Sequence, residues 1–342
     1  MTLVALNEQY MSRFIMPHQM HAFHGDYRHV GVEMEMGGLQ LSEIARAVTD
    51  VFGGTAISRS SFEIDIENAR HGSFRVELDA SLLKDHEYRR YLALIGIDQD
   101  DPQTQHRIDD LLVRLAGTVV PSEVIAPPVR IAALEEMDNL RLCLHQAGAK
   151  GTRAALVYAF AVQFNVEAAE LKAGYLLDIL RAFVLLYESG STQERIDISR
   201  KILPFIRAFP GDYVRAILAE NYNPDMTELI RDYLRHNATR NRPLDMLPLF
   251  AHLNRDQVMA ADVETHLIKP RPTFHYRLPN CRIDEPDWSL AQPWNDWVLV
   301  EHLAADKERL REHSRAYLEN PLEVVAARID DWADKVRKWI KK

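Results

Sequence analysis

The sequence predicts an α+β protein built on a largely antiparallel sheet. Two alternating runs, "SSFEIDIEN" and "SFRVELDAS", are joined by "ARHG", which is a hairpin signal. Strands and helices are otherwise mixed, without the regular β–α alternation of a parallel sheet. A helical stretch from about 167 to 268 separates an early group of strands from a late one.

Taken in order, the chain first offers "RHVGVEMEM" as a strand. "LSEIARAVTDVF" (41–52) follows as a helix, with Ser42 as N-cap, apolar spacing at Ile44, Ala45, Val48 and Phe52, and a stop at Gly53 and Gly54. The hairpin comes next, then a polar loop running into a helix over 98–116. "GTVVPSEVIAPPV" (117–129) is extended, and its prolines put it at an end or edge of the sheet. "ALEEMDNLRLCLHQAG" is a helix ended by Gly148, and "ALVYAFAVQFNV" (155–166) an apolar strand. The helical block is broken at "FPGD", "NYNPD" and "NRPLD". Strand character returns in "RPTFHYRLPNCRID" (271–284), and helices complete the chain. The expected organisation is one domain over 1–342. Its sheet core comprises 26–166 and 269–303, with a helical insertion at 167–268 and C-terminal helices at 304–342.

Composition narrows the function. Lys and Arg number 41 against 50 Asp and Glu, and the net charge of −9 argues against a general nucleic-acid binder. Cys143 and Cys281 are far apart, so neither a disulfide framework nor a cysteine-based zinc site is expected. The N-terminal residues lack signal-peptide character, and "GYLLDILRAFVLLY" is too short and too charged to span a membrane. A cytoplasmic protein with no membrane or nucleic-acid partner is expected. Trp332, Val336 and Ile340 lie at helical spacing, and a terminal helix docked on its own domain is expected there rather than one lying on a membrane.

Parity carries the functional signal. Side chains two apart on a strand share a face. Glu33 and Glu35 share one, as do Glu63, Asp65 and Glu67, and Glu77 and Asp79, with Glu123 opening "SEVIAPP". The alternate residues Met34, Met36, Ile64, Ile66, Val76 and Leu78 are apolar and belong to a core. If the strands pair, the acids merge into one negative surface, joined by Gln163 and Asn165 and by His275 and Arg277. Clustered carboxylates suit hard cations such as Mg2+ or Mn2+, which are commonly shared with phosphates. Each acid pair alone also fits a solvated strand face, and Glu63, Asp65 and Glu67 are left in that class.

In order, "GVEMEM", "VELDASL", "SEVIAPPV", "VQFNV" and "HYRLPN" resemble the amidoligase family, a branch of the glutamine synthetase and glutamate–cysteine ligase superfamily. That family shows G-x-E-x-E, then D-G-S-L, then E-x-x-[S/A]-P-P. A strand with spaced histidines, or a histidine and an asparagine, follows, and then E-[aromatic]-R. The resemblance spans roughly 28–303. It implies a curved antiparallel sheet of the glutamine synthetase type that binds ATP and Mg2+ (or Mn2+) on its concave face. The reaction implied is an ATP-dependent carboxylate–amine ligation through an acyl phosphate, with small-molecule or peptide carboxylate and amine substrates.

By the same resemblance, Glu33, Glu35 and Glu123 are metal ligands with Gln163 as a further candidate, and Arg277 is the catalytic phosphate clamp. Asp79 and Ser81 lie toward the substrate. Among the other cations, Arg153 and Lys269 are favoured for the nucleotide over Arg59, Lys84 and Arg271. The sequence departs from the pattern at Gln163, where histidine is usual, at His275, where glutamate is usual, and at Ala80, where glycine is usual. These departures raise two alternatives, fewer metal ions or a non-catalytic nucleotide- or peptide-binding relative. A metal-dependent hydrolase ranks last, since the spaced histidines of "HGDYRH" sit outside any strand pattern.

Overall fold

The computed structural model describes residues 14–78, 121–152, 160–189, 207–277 and 279–320, together with 329, 332, 333 and 336. Within them, nine strands form one sheet: β1 (His29–Met36), β2 (Thr55–Ser60), β3 (Glu63–Ala69), β4 (Gly72–Leu78), β5 (Ser122–Ile125), β6 (Val129–Arg130), β7 (Val162–Glu167), β8 (Leu244–Asp245) and β9 (Thr273–Tyr276). Their order is β2-β3-β4-β5-β1-β7-β9-β8, with β6 pairing to β1 off that path. Every described pairing is antiparallel.

One face of this sheet is apolar, as the alternation requires. Val30, Val32, Met34 and Met36 on β1, Ile66 on β3, Val76 on β4, Val124 on β5, Phe164 on β7 and Phe274 on β9 are all buried. Ile64 is only partly so. Helices cover this face. In α1 (Leu41–Phe52), Phe52 stacks on Phe74 of β4 with ring centroids 4.8 Å apart. α2 (Leu134–Ala147) ends at Gly148 in the left-handed conformation, where glycine has no steric penalty. At the other end of the sheet, α3 (Ala173–Ser189) brings Phe183 to 5.9 Å from Tyr276. From α8 (Ala291–Ala305), Trp294 reaches Phe164 at 5.9 Å and Trp297 reaches Phe274 at 5.4 Å. Each such aromatic buries about 150–250 Å², so these contacts dominate the attraction between sheet and helices.

Several expectations change in detail. Gln40, not Ser42, precedes α1, forming a reciprocal capping box with Glu43. β2 was missed because it is an exposed strand with little apolar alternation. "NRPLD" is not simply a break: Leu244 and Asp245 form β8, two residues long and invisible to any periodicity. The remaining helices between β7 and β9 are α4 (Gly211–Leu218), α5 (Met226–Asn237), α6 (Leu247–Leu253) and α7 (Arg255–Met259), and α9 (Lys307–Glu319) follows α8. The late strand is shorter than its text, since Pro272 and Pro279 bracket β9. The loop and helix expected over 98–116 lie outside the described residues. Trp332 is buried and Val336 packs on the core, as a docked C-terminal segment requires, while Ile340 lies outside the described residues. Cys281 is buried, and burial pushes the half-buried Cys143 thiol pKa up, so both read as packing residues. Among the described residues, no helix is long and apolar enough to cross a membrane.

A buried ion pair locks α8 to the start of β1. Arg28 donates to both carboxylate oxygens of Glu301, at 2.8 and 2.6 Å, and to the carbonyls of Glu167 and Gln19. Trp297 Nε1 donates to the same carboxylate at 2.7 Å. Burial alone would depress the Arg28 pKa, but Glu301 overrides it and holds the guanidinium charged. Removing one partner strands a buried charge. Glu301→Ala is therefore expected to cost about 3–5 kcal/mol in urea unfolding, whereas Arg28→Met with Glu301→Leu is expected to cost far less. Equal losses in the single and double variants would contradict this.

Candidate functional site

The opposite face of the sheet is polar, and strand register lines its side chains into rows. Glu35 lies opposite Glu123, Glu123 opposite Glu77, and Glu77 opposite Glu63. Directly opposed residues have Cβ atoms about 4.5–5.5 Å apart, and like charges so placed destabilise a sheet. On β2–β4 the repulsion is relieved by surface arginines. Arg59 pairs with Asp65 and Glu67, and Arg75 with Glu63 and Asp65, each at 3.1 Å. Glu63, Asp65 and Glu67 are thus a solvated, ion-paired surface, as their pattern suggested. Toward the centre of the sheet the face becomes buried: Glu123, Gln163, Asn165, His275 and Asp245 are all inaccessible or nearly so.

Two hydrogen-bond chains run across this buried part. In the first, Asn165 Nδ2 donates to Glu33 at 2.7 Å while its oxygen accepts from Arg271 at 2.6 Å. Gly31, opposite Asn165 on β1, makes room for this: a Cβ there would lie 3.3 Å from Asn165 Cβ. The glycine that opens "GVEMEM" is therefore a steric allowance beside the first glutamate. In the second chain, the Ala161 N–H and Gln163 Nε2 both donate to Glu35, each at 2.8 Å. The amide oxygen of Gln163 meets His275 Nε2 at 2.8 Å, and His275 Nδ1 faces Asp245 at 3.7 Å. Burial lowers the His275 pKa, against the opposing pull of Asp245 and Glu33.

A cationic cluster adjoins the acids. Arg277 donates to the Arg240 carbonyl, and Arg240 Nε lies 3.8 Å from Asp245. Burial lowers the pKa of Arg240; Asp245 and Glu33 raise it, and the nearby Arg277 and Arg271 lower it further. Arg240 thus feels the charges of Arg271, Arg277 and Glu33 together. Crowding of like cations at the edge of an acidic surface is the arrangement a polyphosphate would relieve.

The structure brings together Glu33, Glu35, Glu123, Gln163 and Arg277 on one face. Asp79, Ser81, Lys84 and Arg153 lie outside the described residues. Lys269 is exposed, and among the described residues no hydrogen bond or ion pair joins it to the cluster. Arg271, ranked below Lys269 from sequence, holds Asn165 directly. Arg59 belongs to the outer ion pairs. Arg240 and Asp245 were missed altogether, because both sit in and beside "NRPLD", where no strand was read and parity could not be applied.

The all-oxygen donor set of Glu33, Glu35, Glu123 and Gln163 suits a hard divalent cation. Among the described residues, no group of three or more His, Cys, Asp or Glu is placed so that it could hold a metal ion as it stands. Glu33 and Glu35 are instead turned toward the amides of Asn165 and Gln163. A cavity of about 590 Å³ lies elsewhere, between α3, α4 and α9, but its charges pair internally through Lys307–Asp178 and Arg315–Glu220.

A sequence model of the family described as "putative amidoligase enzyme" matches residues 26–299. The chain belongs to this family, whose name denotes a ligase-type function. No curated protein and no solved structure matches the chain.

Gly31→Ala tests the packing of the site. The added methyl must displace Asn165, loosening both Glu33 and Arg271, at an expected cost of about 1–3 kcal/mol in thermal or urea unfolding. Adding Asn165→Ala to Gly31→Ala should then destabilise by less than the sum of the two single changes. Strict additivity would show that the glycine is not there for Asn165.

Proposed function

We propose that the protein is an ATP-dependent carboxylate–amine ligase that forms an amide or peptide-like bond through an acyl phosphate. The observation that carries this is the opposed Glu35–Glu123 pair on one polar face, with Arg240 close enough to Glu33, Arg271 and Arg277 to feel their charges. Acids for a divalent cation next to guanidiniums for phosphate oxygens match the two requirements of a nucleoside triphosphate.

In this reading Glu33, Glu35 and Glu123 hold Mg2+ or Mn2+, and Gln163 adds a neutral oxygen. The bound cation neutralises charge on the transferring phosphoryl group. A substrate carboxylate oxygen attacks the γ-phosphorus and ADP leaves. The amine then attacks the acyl carbon, phosphate departs with the C–O electron pair, and the nitrogen loses its proton. Arg277 clamps the phosphoryl oxygens with its planar donor fork, and Arg240 and Arg271 flank it. Lys269 and Arg153 serve the nucleotide side, and Asp79 and Ser81 the substrate side.

ADP release in the presence of Mg2+ and pooled carboxylates and amines is the test. Turnover is expected, and Arg277→Ala should lower it by roughly 10²–10³-fold, the usual loss on removing a donor aimed at developing charge. The departures at Gln163 and His275 favour a second reading, a binding protein without chemistry. That reading expects ATP and Mg2+ to raise the melting temperature while no mixture releases phosphate. No turnover, together with unchanged ATP binding in Glu33→Ala, would remove the ligase reading, and no change in melting temperature with ATP and Mg2+ would remove the second.

A further inference from the structure

The hydrogen-bond chain that ends on Glu35 contains a conflict. A carboxylate only accepts, so the Gln163 amide must turn its NH2 to Glu35 and its oxygen to His275. His275 Nε2 must then carry a hydrogen. In the neutral ring this leaves Nδ1 with a bare lone pair, 3.7 Å from Asp245 Oδ2, another acceptor. Both atoms are buried and, among the described residues, neither has a hydrogen bond, Arg240 Nε standing 3.8 Å from Asp245 Oδ2. A doubly protonated ring would relieve this, but burial opposes the charge.

A second arrangement satisfies the ring and Asp245 instead. With the Gln163 amide rotated by half a turn, its oxygen faces Glu35 and its NH2 faces His275 Nε2. The ring proton then sits on Nδ1 and can be donated to Asp245 Oδ2 once the present 3.7 Å separation closes to hydrogen-bonding distance. The ring exchanges one hydrogen for another and its charge is unchanged. Two oxygens, from Glu35 and Gln163, now confront each other, which costs energy unless a cation lies between them. The two ends of the chain are thus opposed: one arrangement is relaxed at Glu35 and strained at Asp245, the other the reverse.

We propose that Asp245 and His275 are positioning residues that set the Gln163 amide, so that divalent-cation binding at Glu35 and the His275–Asp245 hydrogen bond form together. This rests on the cation reading given above. It turns the two departures from the family pattern into one unit, because Gln163 can ligate only in the orientation that His275 must accept. Asp245 is held for this purpose, since its other oxygen accepts from the Leu247 N–H at 2.9 Å at the start of α6.

That fixed oxygen makes Asp245→Asn a directed test. Its amide oxygen keeps the Leu247 bond, so its NH2 is turned to His275 Nδ1 and stabilises the Nε2–H ring. Mg2+ affinity, measured by calorimetry on the full chain without nucleotide, is expected to fall about ten-fold or more, as when other groups behind a ligand are changed. In a Gln163→Glu background no amide orientation remains, and the same change should cost less than two-fold. This background also separates the effect from the neighbouring Arg240, whose 3.8 Å contact with Asp245 is lost in both. Nitrogen NMR of histidine-labelled protein should show His275 protonated at Nε2 without Mg2+ and at Nδ1 with it. Mg2+ binding with an unchanged tautomer, or an equal Asp245→Asn loss in both backgrounds, would overturn the inference and leave the cation reading intact. No binding of Mg2+ or Mn2+ to the wild-type chain would overturn both.

Discussion

Opposed carboxylates on neighbouring strands set the terms for the rest of this molecule. Glu35 faces Glu123, and Glu123 faces Glu77, because β1, β4 and β5 are locked in register by the apolar residues on their other face. A shift of one residue would relieve the repulsion and would also turn Met34, Met36, Val76 and Val124 out of the core. Burial of those side chains is worth about 1.5–3 kcal/mol each, against about 0.2–1 kcal/mol for an unfavourable cross-strand pair. The hydrophobic face therefore wins and holds the acids together. The same logic explains why α1, α3 and α8, and the Arg28–Glu301 lock, sit on the apolar side.

What differs along the polar face is how the charge is answered. On β2–β4 it is met by exposed arginines, whose ion pairs contribute little to stability. Near β1 and β7 it is met by amides, Asn165 for Glu33 and Gln163 for Glu35. Amides are adjustable partners, since rotation exchanges donor for acceptor. A site built from them can hold carboxylates in one state and join them around a cation in another. The guanidiniums of Arg240, Arg271 and Arg277 stand around β8 and β9: Arg271 precedes β9, Arg277 follows it and Arg240 precedes β8.

Much of this was legible in the sequence, for a physical reason. Strand parity is a rule of backbone geometry, and it placed Glu33, Glu35, Glu123, Gln163, Asn165 and His275 on one face before any pairing was known. The short motifs around those residues carried the family. Parity fails where strands are too short to show it. β8 has two residues and follows a proline, so Asp245 was invisible, and Arg240 lay in the loop before it. Sequence could not show that Arg271 reaches Asn165, because the direction of a side chain at a strand end is set by its partners. For Arg271 those are Asn165 and Thr273. Nor could sequence show that Gln163 and His275, which looked like separate departures, touch each other.

The central claim is that the polar face is a cation–polyphosphate site, and diffraction tests it most directly. Crystals grown with Mn2+ and a non-hydrolysable ATP analogue should show an anomalous peak within about 2–2.5 Å of oxygens from Glu35 and Glu123. The polyphosphate should lie against Arg277, Arg240 and Arg271. Manganese and nucleotide bound away from β1 and β5, or found only in the cavity between α3, α4 and α9, would contradict the account.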